Sequence, residues 1–160
     1  MSNTDLVKSV LAAFESGDAK KAESLLSDDM VFAGPMPKPV GKREFIGLQT
    51  ALVAAIPDWK FNAGEYKEQG DKVMVKAHIS GTHTRPLSLT PMGIQSLAPT
   101  GKKVQLPYEN LTVTVKNGKA TRIDAEHVEG GGVPGVLAQL GVKMPQPWQR
   151  VGFAGSLDLG

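Results

Sequence analysis

The feature that most constrains this chain is a change of hydrophobic period at Pro57. Before it, apolar residues recur every three or four positions; after it they recur every second position. The first spacing makes one stripe along a helix and the second makes one face of a strand. The chain must therefore build helices first and sheet afterwards. That order predicts an α+β domain in which the N-terminal helices cover the apolar face of an antiparallel sheet.

In the first half, Leu6, Val7, Val10, Leu11 and Phe14 predict a helix from about Thr4 to Glu15, with Thr4 as its N-cap and Gly17 past its end. Asp18 can cap a second, short helix that turns Ala22, Leu25 and Leu26 inward. Met30 to Ala33 reads as a short strand, and residues 34–39 as a proline-broken loop. Phe45, Ile46, Leu52, Val53 and Ile56 predict a third helix over about 42–56, stopped by Pro57. In the second half, residues 59–67 and 72–82 read as strands. The latter alternates Val73, Val75, Ala77 and Ile79 against Met74, Lys76, His78 and Ser80. Thr84 to Thr100, with Pro86, Pro91 and Pro99, reads as a long loop of the kind that forms lids or rims. Gly130-Gly131-Gly132 lacks a following Lys-Ser/Thr pair, so it reads as a flexible connector and not as a phosphate loop. A short helix at about 136–140 follows it.

The last hairpin decides which side chains meet. A two-residue type I′ turn at Asn117-Gly118 would set Leu111 opposite Asp124 and Val113 opposite Arg122. A three-residue loop with a bulged Gly118 would set Leu111 opposite Ile123 and Val113 opposite Thr121. A one-residue slip exchanges the faces, so burial selects the second register. It gathers Leu111, Val113, Ile123 and Ala125 on the inner face. It also brings Glu109 and His127 inward as diagonal neighbours, about 7–8 Å apart. A carboxylate and an imidazole on an apolar wall could run proton transfer. The same two residues could equally form a structural pair or a dimer contact. Phe32, Phe45 and Trp59 could line a pocket beside them, or serve as plain core.

Composition closes other routes. Eighteen basic and sixteen acidic residues leave a formal charge of +2 with no basic stripe, so no nucleic-acid partner is expected. Cysteine is absent, which excludes disulfides and thiolate chemistry, and the three histidines are too scattered for a metal site. No apolar run is long enough to span a bilayer, and no leader pattern opens the chain, so the expectation is a cytoplasmic protein without a membrane partner.

Four short segments occur in a recognisable order: Gly81-Thr82-His83-Thr84, Pro99-Thr100-Gly101-Lys102-Lys103, Asn117-Gly118-Lys119 and Leu137-Ala138-Gln139-Leu140-Gly141. With the helices before them, they make residues 4–142 resemble the SnoaL-like polyketide cyclases, a branch of the NTF2-like superfamily. The resemblance implies a cystatin-like cone: a curved antiparallel sheet wrapped by about three N-terminal helices around a single pocket. It implies a homodimer, and acid/base chemistry without metal or cofactor. The family's His, Asp and Asn positions fall on Leu111, Ala125 and near Phe32, all apolar here, whereas Glu109 falls where a pocket Gln sits. The expected organisation is a domain over 1–142 and a tail over 143–160. The expected function is binding of a small hydrophobic molecule, either as a cyclase- or isomerase-type enzyme using His127 and Glu109 or as a non-catalytic binding or dimerisation module. Phe32, Phe45, Trp59, Leu111, Val113, Ile123 and Ala125 are the expected ligand contacts.

Overall fold

The computed structural model describes residues 1–142; the expected tail lies outside the described residues. Helix α1 (Asn3–Glu15) starts one residue before the expected cap. Ser2 is the N-cap, its Oγ accepting from the Asp5 amide at 3.0 Å. Thr4 is thereby freed, and its hydroxyl donates to Glu68 at 2.8 Å. Asp18 caps α2 (Ala19–Leu25) as expected, accepting from the Lys21 amide. Strand β1 (Leu26–Ala33) is longer than the apolar pattern at its end predicts, and β2 (Val40–Gly41) pairs with it. Helix α3 (Lys42–Ala55) opens with Glu44 reaching back to accept from the Gly41 amide at 3.1 Å.

The sheet-forming half supplies β3 (Gly64–Gln69), β4 (Lys72–Ala77), β5 (Ser80–Thr82), β6 (Lys103–Gln105), β7 (Glu109–Lys116) and β8 (Lys119–Ala125), then α4 (Gly132–Gln139). Six strands form one curved sheet in the order β2-β1-β8-β7-β4-β3, and β5 and β6 form a separate pair. Every pairing is antiparallel except β1 with β8, which is parallel. The expected all-antiparallel sheet is corrected at that point. β1 is delivered from the helical half, and the chain crosses over through α3 before the rest of the sheet is laid down, which permits a parallel neighbour.

The strand expected over 72–82 breaks at His78. There the chain steps from β4 to β5, and the backbone of Lys60 and Phe61 bonds the step: the Ser80 and His78 amides donate to their carbonyls, each at 3.0 Å. Residues 59–63 are consequently an irregular bracket instead of the start of a strand. Glu15, at the end of α1, holds that bracket by accepting from the Phe61 amide at 2.8 Å. Gly81 has to be glycine for packing reasons, since a Cβ there would run into Ile56 Cγ2. The long loop after β5 is pinned by its own apolar residues. Leu87, Leu89 and Ile94 are buried, Leu87 and Leu97 exchange two backbone hydrogen bonds of 2.9 Å, and a 3-10 turn occupies Thr90–Met92.

The last hairpin uses neither register weighed above. Lys116 faces Lys119 across a two-residue turn in which Asn117 (φ 53°) and Gly118 (φ 75°) are both left-handed, the requirement of a type I′ turn. The register then shifts by one at Thr121, so that Val113 faces Ile123 and Leu111 faces Ala125. The bulge, placed in β8 and not at Gly118, restores the inner face that the unbulged turn would have inverted. Leu111, Val113, Ile123 and Ala125 therefore share a face as expected, but each pairs two residues further along β8.

Candidate functional site

The inner faces of α1 and α3 do not fill the concave side of the sheet. A cavity of about 80 Å³ remains between them, walled by apolar atoms. The final hairpin contributes Leu111, Val113, Ile123 and Ala125, and β1, α3 and the bracket contribute Phe32, Phe45 and Trp59. All seven expected contact residues thus line one space. Phe14 and Phe61 join the aromatic part of the wall: Phe14 meets Phe45 edge-on at 5.5 Å and Trp59 meets Phe61 edge-on at 5.9 Å.

Few polar groups enter this wall. Glu109, the first residue of β7, is 4% exposed and lines the cavity. Its Oε2 accepts from the Gly132 amide at the first turn of α4, at 3.3 Å. No side chain of its own caps α4, so the carboxylate of a distant strand takes that place. The glycine run permits the approach. A Cβ at Gly131 would sit 2.9 Å from Glu109 Oε2, and one at Gly132, whose φ is +66°, would overlap Pro35. The run expected as a flexible connector is thus a shaped, close-packed turn, with Gly131 itself buried.

Burial pushes the Glu109 carboxyl up to about 7, the Gly132 amide pulls it down, and the negative charge of Glu126 adds a small upward push. Desolvation dominates because a single long hydrogen bond cannot replace the water the carboxylate has lost. At neutral pH the group is divided between an acid that can donate and a base that can accept.

Two further lining residues hold buried polar atoms with no hydrogen-bond partner, Gln49 Oε1 and Trp59 Nε1. Gln49 was missed in the sequence. Its signal is a polar residue on the inner stripe of α3, one turn after Phe45 and one turn before Leu52.

His127 is corrected. It is exposed and does not line the cavity. β8 ends at Ala125, opposite Leu111, so Glu109 stands beyond the end of the ladder and no diagonal neighbour reaches it from β8. The chain then turns away through 128–131 to α4. The remaining histidines sit elsewhere. His78 packs edge-on to exposed Tyr108 at 4.4 Å. His83 is fully buried beside the long loop, its Nδ1 accepting from the Thr100 amide at 3.1 Å and lying 2.9 Å from the Thr100 hydroxyl.

A helix-wrapped curved sheet with an apolar cavity on its concave side defines the cystatin-like, NTF2-like class of α+β domain. Within that class the chain belongs to the SnoaL-like domain family, whose model matches residues 7–123. Among solved structures it is similar to IdmH from Streptomyces antibioticus, provisionally named a polyketide cyclase, with 23% identity over 89% of this chain and 100% of that one and a TM-score of 0.66. AclR from Streptomyces galilaeus, provisionally named a hydroxylase, shares 21% identity over 89% of this chain and 97% of its own, with a TM-score of 0.67. An uncharacterised cystatin-fold protein from Novosphingobium aromaticivorans shares 19% over 78% of this chain and 97% of its own, at 0.58. At these identities the likeness is one of fold. No curated protein matches the sequence.

Proposed function

We propose that the cavity binds a small, largely apolar ring-bearing molecule and that Glu109 moves a proton on it, as in a cyclisation or isomerisation that uses no cofactor. The observation that carries this reading is a carboxyl group facing an apolar cavity with one weak backbone partner. Such a group is costly for folding and well suited to acid/base work at neutral pH. As base, ionised Glu109 would take a proton from carbon next to a carbonyl; the Gly132 amide would hold Oε2 and leave the other oxygen for the substrate. The provisional naming of IdmH as a polyketide cyclase agrees with this chemistry.

Deuterium uptake by 2-indanone in D₂O, followed by NMR, tests it. The protein should accelerate exchange, the rate should rise with pH and level off above about 7, and Glu109→Gln should cut the acceleration by roughly 10²–10⁴-fold. Equal acceleration by the variant would remove Glu109 from the chemistry. A second reading, a binding module without turnover, is favoured by the apolar Phe32, Leu111 and Ala125 at the polar positions of the resembling cyclases. It predicts saturable binding of 2-indanone with no exchange above background.

A further inference from the structure

Glu109 accounts for one of the polar features of the cavity; Gln49 Oε1 and Trp59 Nε1 remain. Both atoms are buried and neither has a partner in the protein. A buried polar atom normally finds one, and leaving it unpaired is destabilising, so two such atoms on side chains that line a single apolar cavity call for an explanation. They are complementary in kind. The indole N–H can only donate, and the amide oxygen can only accept. They also come from separate elements, Gln49 from the inner stripe of α3 and Trp59 from the bracket that follows it. An apolar ligand would leave both unsatisfied. A ligand with an oxygen that accepts and an O–H or N–H that donates would satisfy both.

We propose that Gln49 and Trp59 are the specificity-determining residues of the cavity, and that they select a hydroxylated ring compound, phenolic or enolic, over its apolar isostere. The aromatic wall of Phe14, Phe32, Phe45 and Phe61 receives the ring, and the two polar atoms receive its oxygenated edge. The inference rests on reading the cavity as a ligand site, but it concerns binding preference and not proton transfer. A site built to hydrogen-bond a hydroxyl discriminates strongly against the analogue that lacks it, because its own polar groups are then stranded.

Phenol and toluene, nearly equal in shape, are the probes. Their affinities for the full chain are measured by NMR titration, with the Trp59 indole N–H resonance assigned by comparison with Trp59→Phe. Phenol should bind about tenfold more tightly than toluene and shift that resonance, although toluene is the more hydrophobic. In the Gln49→Leu/Trp59→Phe double variant the order should reverse. Gln49→Leu alone should raise the Tm of the unliganded protein, since it removes a stranded carbonyl without removing packing volume. Toluene binding at least as tightly as phenol, a preference unchanged in the double variant, no saturable binding of either probe, or a lowered Tm of Gln49→Leu would each overturn the assignment. Because 2-indanone exchange reads Glu109 and these titrations read Gln49 and Trp59, failure of one is distinguishable from failure of the other.

Discussion

The apolar cavity and the small β5–β6 sheet with its loop each bury one titratable side chain, and they partner it differently. Glu109, on the cavity, keeps a single 3.3 Å bond to an amide. His83, under the loop, has the amide and the hydroxyl of Thr100 both within 3.1 Å of Nδ1, and its own backbone exchanges hydrogen bonds with Lys102 and Gly101. One environment leaves polar capacity facing a cavity; the other ties one ring nitrogen, Nδ1, to the loop and leaves Nε2 buried in protein without a partner. On the proposed reading of the cavity, the contrast separates a side chain that meets an incoming molecule from one that fastens a loop to a sheet. A buried polar residue is informative only together with its partners.

The two regions should also differ in how they tolerate loss of volume. Leu52 and Leu87 are each 1% exposed, but only Leu52 lines the cavity. Truncation to alanine costs roughly 2–5 kcal/mol at such positions, with the spread set by how many contacts were made and how far the surroundings collapse. Leu52 already faces empty space on one side, so Leu52→Ala should fall near the low end and Leu87→Ala near the high end. Denaturant unfolding of the two variants compares them directly. A larger loss at Leu52 would mean that the cavity wall is better packed than its geometry indicates.

The pH dependences should oppose each other. Burial raises the Glu109 pKa from 4.5 to about 7, so the folded state holds this proton more tightly than the unfolded chain does. The resulting stability is fully present below about 4.5 and is lost as pH rises toward 7. It amounts to about 3 kcal/mol as an upper figure. Glu109→Gln should flatten this slope, so its Tm gain over the native protein should be larger at pH 8 than at pH 4.5. Burial lowers the His83 pKa, with the Arg85 backbone opposing weakly. Its contribution is present above the unfolded value of 6.5 and is lost as pH falls below it. Thr100→Val removes the hydroxyl partner and should cost about 1 kcal/mol, the usual net worth of one intramolecular hydrogen bond. Equal pH slopes in native protein and Glu109→Gln would dissolve the contrast between the two sites.

Much of the architecture was legible because periodicity reports which face is buried. The stripes of α1 and α3 and the alternation in β4 and β7 follow from that alone. The last hairpin shows where such reading stops. Turn chemistry at Asn117-Gly118 asks for a two-residue turn, and burial of Ile123 and Ala125 asks for the opposite parity. Treated as rivals, these demands force a choice; the fold meets both by spending one extra residue at Thr121. A bulge of that kind has no local composition signal, since any residue can occupy it. The parallel β1–β8 pairing and the orphan polarity of Gln49 are likewise products of tertiary assembly. Glu109 could be assigned to the inner face from parity, but the amide that holds it belongs to Gly132, twenty-three residues further along the chain.

The same parity argument carried His127 inward together with Glu109, and there it overreached. Parity fixes a side chain only while the ladder lasts. Glu109 keeps its place because β7 pairs with β4 on its other edge, where Glu109 faces Ala77. His127 has no such second neighbour: the last backbone bond between the strands runs from the Glu126 amide to the Asn110 carbonyl at 2.9 Å, and the Asn110 amide donates to the Glu126 side chain at 3.0 Å. An exposed imidazole beyond that point should be dispensable. His127→Ala should change stability by less than about 0.5 kcal/mol, the ordinary range for a surface substitution, and should leave 2-indanone exchange within about twofold of native, because it lies outside the cavity where a positioned acid or base earns its larger factors. A hundredfold loss in that variant would return the histidine to the site and would require the 126–131 segment to close over Glu109 when the cavity is filled.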